Sequence, residues 1–165
     1  MTKEQNQLIE KLYLRMFYGM LAYATSALES RSQAEEAVQE TFRIACQKAD
    51  DLLESENPEG WIVNTLRNVI RNIRKRNTSA KLLLEKYMRS SRKYNECTED
   101  QIRLELQYSN IADLDEYKIL KAMAVDGKSQ LEIAGEWNIS LNACKKRIQR
   151  AKEKLRKKIK KDVTL

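Results

Sequence analysis

The sequence predicts an all-α fold with two small helical domains joined by a flexible linker. With one proline and four glycines in 165 residues, it holds too few turn residues for an all-β protein. Apolar residues recur at steps of three and four, the period of an amphipathic helix. Serine, asparagine or aspartate stands before several of these segments, where helices are capped.

The first half of the chain predicts three helices. Residues 6–29 carry one apolar stripe: Leu8, Ile9, Leu12, Tyr13, Met16, Phe17, Met20 and Leu21. A capping box at 32–35 predicts the start of a second helix, which runs to about Lys48. An acidic, irregular stretch at 50–56 follows. Asn57 as N-cap and Pro58 at the first helical position begin the third helix. Its predicted buried side is Trp61, Ile62, Leu66, Val69, Ile70 and Ile73.

The second half predicts a helix-turn-helix. A helix begins at Asp113 or Asp115 and ends at Gly127. A second capping box at 129–132 opens a short helix, and Asn138 suits a left-handed turn. Ser140 then caps a long last helix, whose predicted inner face is Leu141, Cys144, Ile148, Ala151, Leu155 and Ile159. The polar stretch before Asp113 places the domains at 6–77 and 112–161, with a partly helical linker at 78–111.

Charge suggests a polyanionic partner. The net charge is +7, and 21 of the 31 basic residues lie in two blocks, 67–93 and 145–161, with one acid in each. Two such blocks on an otherwise acidic chain indicate two contacts with a polyanion, although solvated helix faces would also explain either block alone.

The amino-acid composition argues against several other classes of protein. With no histidine and three distant cysteines, neither a zinc site nor a disulfide framework is expected, and free thiols suit a reducing cytoplasm. We expect no membrane insertion, because no apolar run approaches the roughly 18 residues of a membrane span. We expect no cofactor and no enzyme activity, because the commonest general base and any nucleophile constellation are missing.

Several residues of the C-terminal helices fit DNA reading. Ala134 is small enough for a close helix crossing, and Asn142, Lys145, Lys146 and Gln149 fill the outer face of the last helix. Simple bundle packing is the alternative interpretation.

Residues 116–157 also resemble region 4 of bacterial sigma factors of the extracytoplasmic-function (ECF) group. The matching positions are Gly127, Ser129, Glu132, Ile133, Ala134, Ile139, Ser140, Lys145, Arg147, Arg150 and Ala151. Asn138 replaces the turn glycine, Ala143-Cys144 replaces a Thr-Val pair, and the usual Leu-Pro near Ala112 is missing.

The N-terminal half resembles sigma region 2. The segment 34–42, AEEAVQETF, is similar to the family's Ala-Glu-Asp-x-x-Gln-Glu-x-Phe signature. Residues 57–62 and Leu66-Arg67-Asn68 resemble its Pro-x-x-Trp-Leu and Ala-Arg-Asn segments, with Asn72 at a usual aspartate position. The gap between the two regions holds no region 1.1 or region 3, as in the ECF group.

The resemblance implies a bacterial, cytoplasmic sigma factor for transcription regulation and DNA-templated transcription initiation. Its partners would be core RNA polymerase, through the clamp helices and flap, and promoter DNA; whether an anti-sigma factor binds is left open. Glu36, Gln39 and Glu40 would dock on polymerase, although early acids also favour a helix dipole. Residues implied at the minus-ten element are Ser55, Asn57, Asn68, Arg71, Arg74 and Lys75, and those at the minus-thirty-five element are Ser140, Asn142, Lys145, Lys146, Arg147 and Arg150.

Two other functions are compatible with parts of the sequence. A nuclease would need clustered carboxylates with a metal, for which Asp50, Asp51, Glu54 and Glu56 are the candidates, although they also suit a solvated loop. A two-domain helix-turn-helix regulator would bind DNA without core polymerase.

Overall fold

A computed structural model describes residues 1–93 and 115–163 of the chain, with side chains described for 1–89 and 115–160. Regular structure in these residues is helical throughout: α1 Lys3–Leu28, α2 Arg31–Gln47, α3 Ala49–Leu53, α4 Pro58–Lys93, α5 Asp115–Ala124, α6 Gln130–Glu136 and α7 Leu141–Val163. The chain forms two compact units, Met1–Lys75 and Arg76–Leu165, called here the N-terminal and C-terminal units. The predicted all-α class is confirmed.

The N-terminal unit packs α1, α2, α3 and the first part of α4 around one core. Thr2 caps α1 with a reciprocal capping box to Gln5, so the helix begins three residues before the predicted residue 6. The predicted α1 stripe lies on this core, with Ile9, Leu12 and Met20 buried and Tyr13 partly exposed at its edge. Trp61 is half-buried against the core, and the other predicted α4 core residues are buried.

The start of α2 differs from the prediction. Its N-cap is Ser30, whose Oγ accepts a hydrogen bond from the Gln33 backbone N–H at 3.3 Å, and Ser32 lies inside the helix. Glu29 takes the left-handed conformation, with φ of 55°, directly after α1. The link between α1 and α2 therefore contains only two residues, and Ser30 is the one with the extended backbone that an N-cap needs.

The acidic stretch before α4 is more ordered than the sequence indicates. Residues 49–53 form the helix α3, with Leu52 fully buried in the core, so the irregular assignment of 50–56 is wrong for the first part of that stretch. Asp50 also accepts a hydrogen bond of 2.6 Å from Gln5 Nε2 of α1. These contacts with distant residues stabilise a helix too short to be stable alone.

Helix α4 continues well past residue 77. The linker expected from residue 78 is predicted to be partly helical, and α4 extends to Lys93. Apolar residues at helical spacing explain this extension, because they pack in the core of the C-terminal unit: Ala80, Leu83, Leu84 and Tyr87. The remainder of the expected linker, 94–111, and the alternative helix start at Asp113 lie outside the described residues.

The C-terminal unit adds α5, α6 and α7 to this segment of α4. Ile119, Leu120, Met123, Ile133, Cys144 and Leu155 are buried in the shared core. Gly127 has φ of 68° after α5, as expected for a helix end. Leu141 does not belong to the inner face as predicted and is 37% exposed, because it lies in the first turn of α7, ahead of the core residue Cys144.

No helix in the described ranges is both long enough and apolar enough to span a bilayer.

Candidate nucleic-acid interface

Local hydrogen bonds set the helix-turn-helix of the C-terminal unit. Ser129 Oγ accepts from the Glu132 N–H at 3.2 Å, and Glu132 Oε2 accepts from the Ser129 N–H at 3.0 Å, which completes the predicted capping box. Asn138 has φ of 49°, the left-handed value predicted for the turn. Ser140 Oγ accepts from the Ala143 N–H at 3.2 Å and caps α7. The small residue at the crossing, Ala134, is 3% exposed.

The outer face of α7 is polar and accessible. Its exposed residues include those expected at the minus-thirty-five element: Asn142, Lys145, Lys146, Arg147 and Arg150. The Arg147 guanidinium lies over the Trp137 ring at 5.5 Å from the centroid, a cation–π contact that ties this arginine to the end of α6. Ser140, also expected at this element, is exposed, but its hydroxyl is engaged as the α7 cap.

Ion pairs hold the helices around this face. Lys154 Nζ donates to Glu116 of α5, and this hydrogen bond holds the pKa of the Glu116 carboxyl below its usual value. Lys128 Nζ lies 2.6 Å from Glu136 Oε1 at the end of α6, which raises the pKa of the lysine. Both pairs bridge separate elements of the unit and favour one placement of α5 and α6.

The residues expected to dock on polymerase lie on α2. Gln39 is exposed, and Glu36 and Glu40 are half-buried. Glu40 accepts two hydrogen bonds of 2.6 Å from Arg43, and this pairing raises the pKa of the guanidinium. Phe42 belongs to the core instead, at 7% exposure, with its ring edge-on to Tyr13 at 4.9 Å.

The loop before α4 is organised by its own side chains. Asn57 Oδ1 accepts from the Gly60 N–H at 2.9 Å, which confirms Asn57 as the α4 N-cap. Ser55 Oγ accepts from the Asn57 N–H at 3.3 Å. A Cβ added at Gly60 would lie 2.6 Å from Asn57 Nδ2, so alanine at 60 would force the Asn57 side chain to shift. Ser55 and Asn57 thus shape the loop through bonds to backbone.

One face of α4 carries the other residues expected at the minus-ten element. Asn68, Arg71 and Lys75 are exposed and fall at steps of three and four. Arg74 points elsewhere and donates from Nε and Nη2 to the Ala27 carbonyl at 3.0 and 2.5 Å. This contact satisfies a carbonyl in the last turn of α1. No signal in the local sequence of α4 could have shown it, because the partner lies 47 positions away.

The acidic residues around 50–56 are dispersed. Asp50 bonds to Gln5, and Asp51 pairs with Lys48 at 3.6 Å. Across the part of the chain that the structure describes, no three acidic or cysteine side chains converge in a group that could hold a metal ion. The cluster that a metal-dependent nuclease requires is therefore not formed by these residues.

Comparison with family models gives two matches in one chain. Sigma-70 region 2 matches residues 11–80, and sigma-70 region 4 matches residues 115–155. The chain belongs to the sigma-70 family. The comparison with curated proteins found no match.

The sigma-70 matches coincide with the surfaces described above. The region 2 match contains the exposed residues of α2, the loop and the polar face of α4, and the region 4 match contains the helix-turn-helix. A sigma-70 protein with both regions acts in transcription initiation, where it recognises promoters together with RNA polymerase.

Proposed function

We propose that this chain is a sigma factor of the ECF group, which joins core RNA polymerase, directs it to specific promoters and assists their melting. The observation that carries the proposal is the order and spacing of the two regions. Between the end of α4 and the start of α5 lie only residues 94–114, fewer than the roughly 50 residues of a small domain. So short an interval leaves no room for another region between regions 2 and 4, which fits the ECF group.

Polymerase docking is assigned to the outer surface of α2. Gln39 presents an uncharged amide at an exposed position in mid-helix, where a helix-dipole explanation does not apply. Glu36 and Glu40 flank it, and the pairing of Glu40 with Arg43 orients its carboxylate. The proposed partner is the pair of clamp helices of the largest polymerase subunit, with the flap as the partner of the C-terminal unit.

Contact with the minus-ten element is assigned to the start of α4 and the loop before it. Asn68 and Arg71 on the exposed face would meet the non-template strand, and Lys75 would hold a phosphate. The acidic loop would repel phosphates, so a pocket for an extruded base suits it better than a backbone clamp. Ser55 and Asn57 set the loop shape, and Arg74 supports this surface by joining α4 to α1.

Reading of the minus-thirty-five element is assigned to the N-terminal half of α7. Asn142, Lys145 and Lys146 would reach base edges in the major groove, because the first residues of a recognition helix do so. Arg147 and Arg150 would contact the backbone. The chain itself performs no chemistry in this scheme, since the polymerase catalyses, and its place of action is the cytoplasm. Two weak DNA contacts gain affinity when one polymerase holds both.

The deciding experiment measures whether the chain assembles with core polymerase. The full chain is mixed with core polymerase and promoter DNA, and the holoenzyme is isolated by size exclusion. We expect stable assembly for the parent, weaker assembly for Gln39→Ala and unchanged assembly for Gln47→Ala, a matched exposed glutamine on the same helix. A parent chain that binds duplex DNA but never joins polymerase would instead be a two-domain regulator. Equal assembly of both variants would remove Gln39 from the docking surface.

A further inference from the structure

The second half of α1 exposes an uncharged surface. Residues 16–28 contain no charged side chain, although 33% of the whole chain is charged. Part of this segment nevertheless faces solvent, since Tyr18 is 81% exposed and Gly19 and Ala22 are also exposed. Leu14, one turn before Tyr18, is 71% exposed. A contiguous apolar surface of this kind marks a site of contact with another protein.

Aromatic contacts hold Tyr18 in place at this surface. Its ring lies edge-on to Phe17, with the two ring centres 5.4 Å apart. Phe17 in turn lies 5.0 Å from Tyr13, whose ring contacts the core residue Phe42 at 4.9 Å. A tyrosine held in this way loses little conformational entropy when a partner covers it. Tyr18 therefore has the properties of an interface anchor, a role in which tyrosine is enriched.

Opposite charges stand at the two ends of this surface. Exposed residues at steps of three, four, four and seven lie along one side of α1 and its C-cap, called here the α1 outer face: Lys11, Leu14, Tyr18, Ala22 and Glu29. Lys11 and Glu29 are about 27 Å apart along the helix axis. Neither forms an ion pair with another described residue. Both charges are therefore available to a partner.

The α1 outer face complements itself when a second copy is turned end to end. In an antiparallel pair whose two-fold axis passes beside residue 20, Lys11 of each copy would lie opposite Glu29 of the other. Tyr18 would then lie opposite Ala22, so a large side chain meets a small one. A Cβ added at Gly19 would meet nothing within 4 Å, so the surface beside Ala22 is open. The antiparallel arrangement also brings opposite ends of the two helix dipoles together.

We propose that the chain forms a weak symmetric dimer in which the α1 outer faces of two copies pack antiparallel. Charges of both signs favour a second copy over a partner of one sign, and the uncharged centre limits the repulsion between two chains of net charge +7. A segment about 27 Å long and about 10 Å wide buries roughly 300 Å² per copy. Standard interfaces bury about 800 Å² per partner, so the dimer forms only at high protein concentration.

Charge reversal at the two ends tests the antiparallel register. Sedimentation velocity of the full chain at low salt, over a wide concentration range, gives the dissociation constant. Lys11→Glu turns both ion pairs into contacts between like charges, and so does Glu29→Lys. Each variant should therefore dimerise about ten-fold more weakly. An equal mixture of the two should form a heterodimer as strong as the parent dimer, because each pair again joins opposite charges.

Two further variants complete the test. Lys3→Glu makes the same charge change at an exposed lysine of α1 outside the α1 outer face, and it should leave the dissociation constant unchanged. Tyr18→Ala should keep the helical circular dichroism signal, because Tyr18 is 81% exposed. It should weaken the dimer by at least about ten-fold, as expected for an interface anchor.

Several results would overturn the dimer. A parent chain that stays monomeric at every concentration would do so, and so would a mixture of the charge variants that associates no better than either alone. Equal weakening by Lys3→Glu and Lys11→Glu would show that net charge alone matters. If the parent is monomeric and Tyr18→Ala weakens assembly with core polymerase, the α1 outer face belongs to a polymerase interface instead. Sedimentation is measured without polymerase, so a chain that never joins polymerase would refute the proposed function and leave the dimer intact.

Discussion

Gly60→Ala tests how the loop before α4 is built. The methyl group would lie 2.6 Å from Asn57 Nδ2 and 2.9 Å from Asn57 Cγ, closer than real Cβ contacts. The short Asn57 side chain must rotate away, and the hydrogen bond from the Gly60 N–H to Asn57 Oδ1 is then lost. The substitution thus removes the α4 cap without touching the capping residue.

Two opposing terms decide its effect on stability. Loss of an asparagine N-cap costs about 1 kcal/mol, and alanine in place of a helical glycine contributes about 1 kcal/mol. Gly60→Ala alone should therefore change the free energy of unfolding by less than about 0.5 kcal/mol. After Asn57→Ala the cap is already gone, and so are the three Asn57 atoms nearest to the added methyl group. The same Gly60→Ala change should then stabilise by about 1 kcal/mol.

A double-mutant cycle measures this coupling. Urea unfolding is followed by the fluorescence of Trp61, which is half-buried against the core of the N-terminal unit, in a Trp137→Phe background. The expected coupling between the two positions is about 1 kcal/mol. If Gly60→Ala had the same effect with and without Asn57, the steric contact would not control the cap, and the role assigned to Gly60 would be wrong.

Three further predictions concern DNA contacts and pH. Asn142→Ala should change the preference among minus-thirty-five sequences by about 1–3 kcal/mol in a competition assay, and an equal loss on all sequences would make it a backbone contact. Asn68→Ala should slow promoter melting on duplex templates, detected by permanganate footprinting, and recover on a pre-melted bubble; equal defects on both would indicate a folding role. The Lys154 hydrogen bond lowers the pKa of Glu116, so its stabilisation is complete above the usual value of 4.5 and is lost as the pH falls through the lowered value. The difference in Tm between parent and Lys154→Ala should therefore shrink on acidification, and a constant difference would contradict this linkage.

Local signals in the sequence predicted the elements that carry the candidate interface. The caps Asn57, Ser129 and Ser140 and the left-handed Asn138 were all predicted, because each depends on residues within about four positions. The apolar period of α7 also predicted which face stays exposed, since the buried residues Cys144, Ile148, Ala151 and Leu155 lie opposite it. The docking and DNA roles of the exposed residues stay predictions.

The errors arose where the local pattern alone did not decide the structure. Ser30 replaces Ser32 as the α2 cap because the two-residue link from α1 leaves only Ser30 extended. The stretch after α2 is partly helical because Leu52 is buried in the core. Leu141 is exposed although it continues an apolar period, since helix periodicity does not show where the neighbouring helices end.

The sequence by itself determined the helical class, most helix starts and the two charged blocks, because periodicity, capping and charge are properties of neighbouring residues. Only the tertiary structure decided that the second half of α4 packs in the C-terminal core, and that Arg74 bonds to the Ala27 carbonyl. Both depend on residues tens of positions apart in the chain. Such contacts are set by the packing of whole helices, which no local pattern specifies.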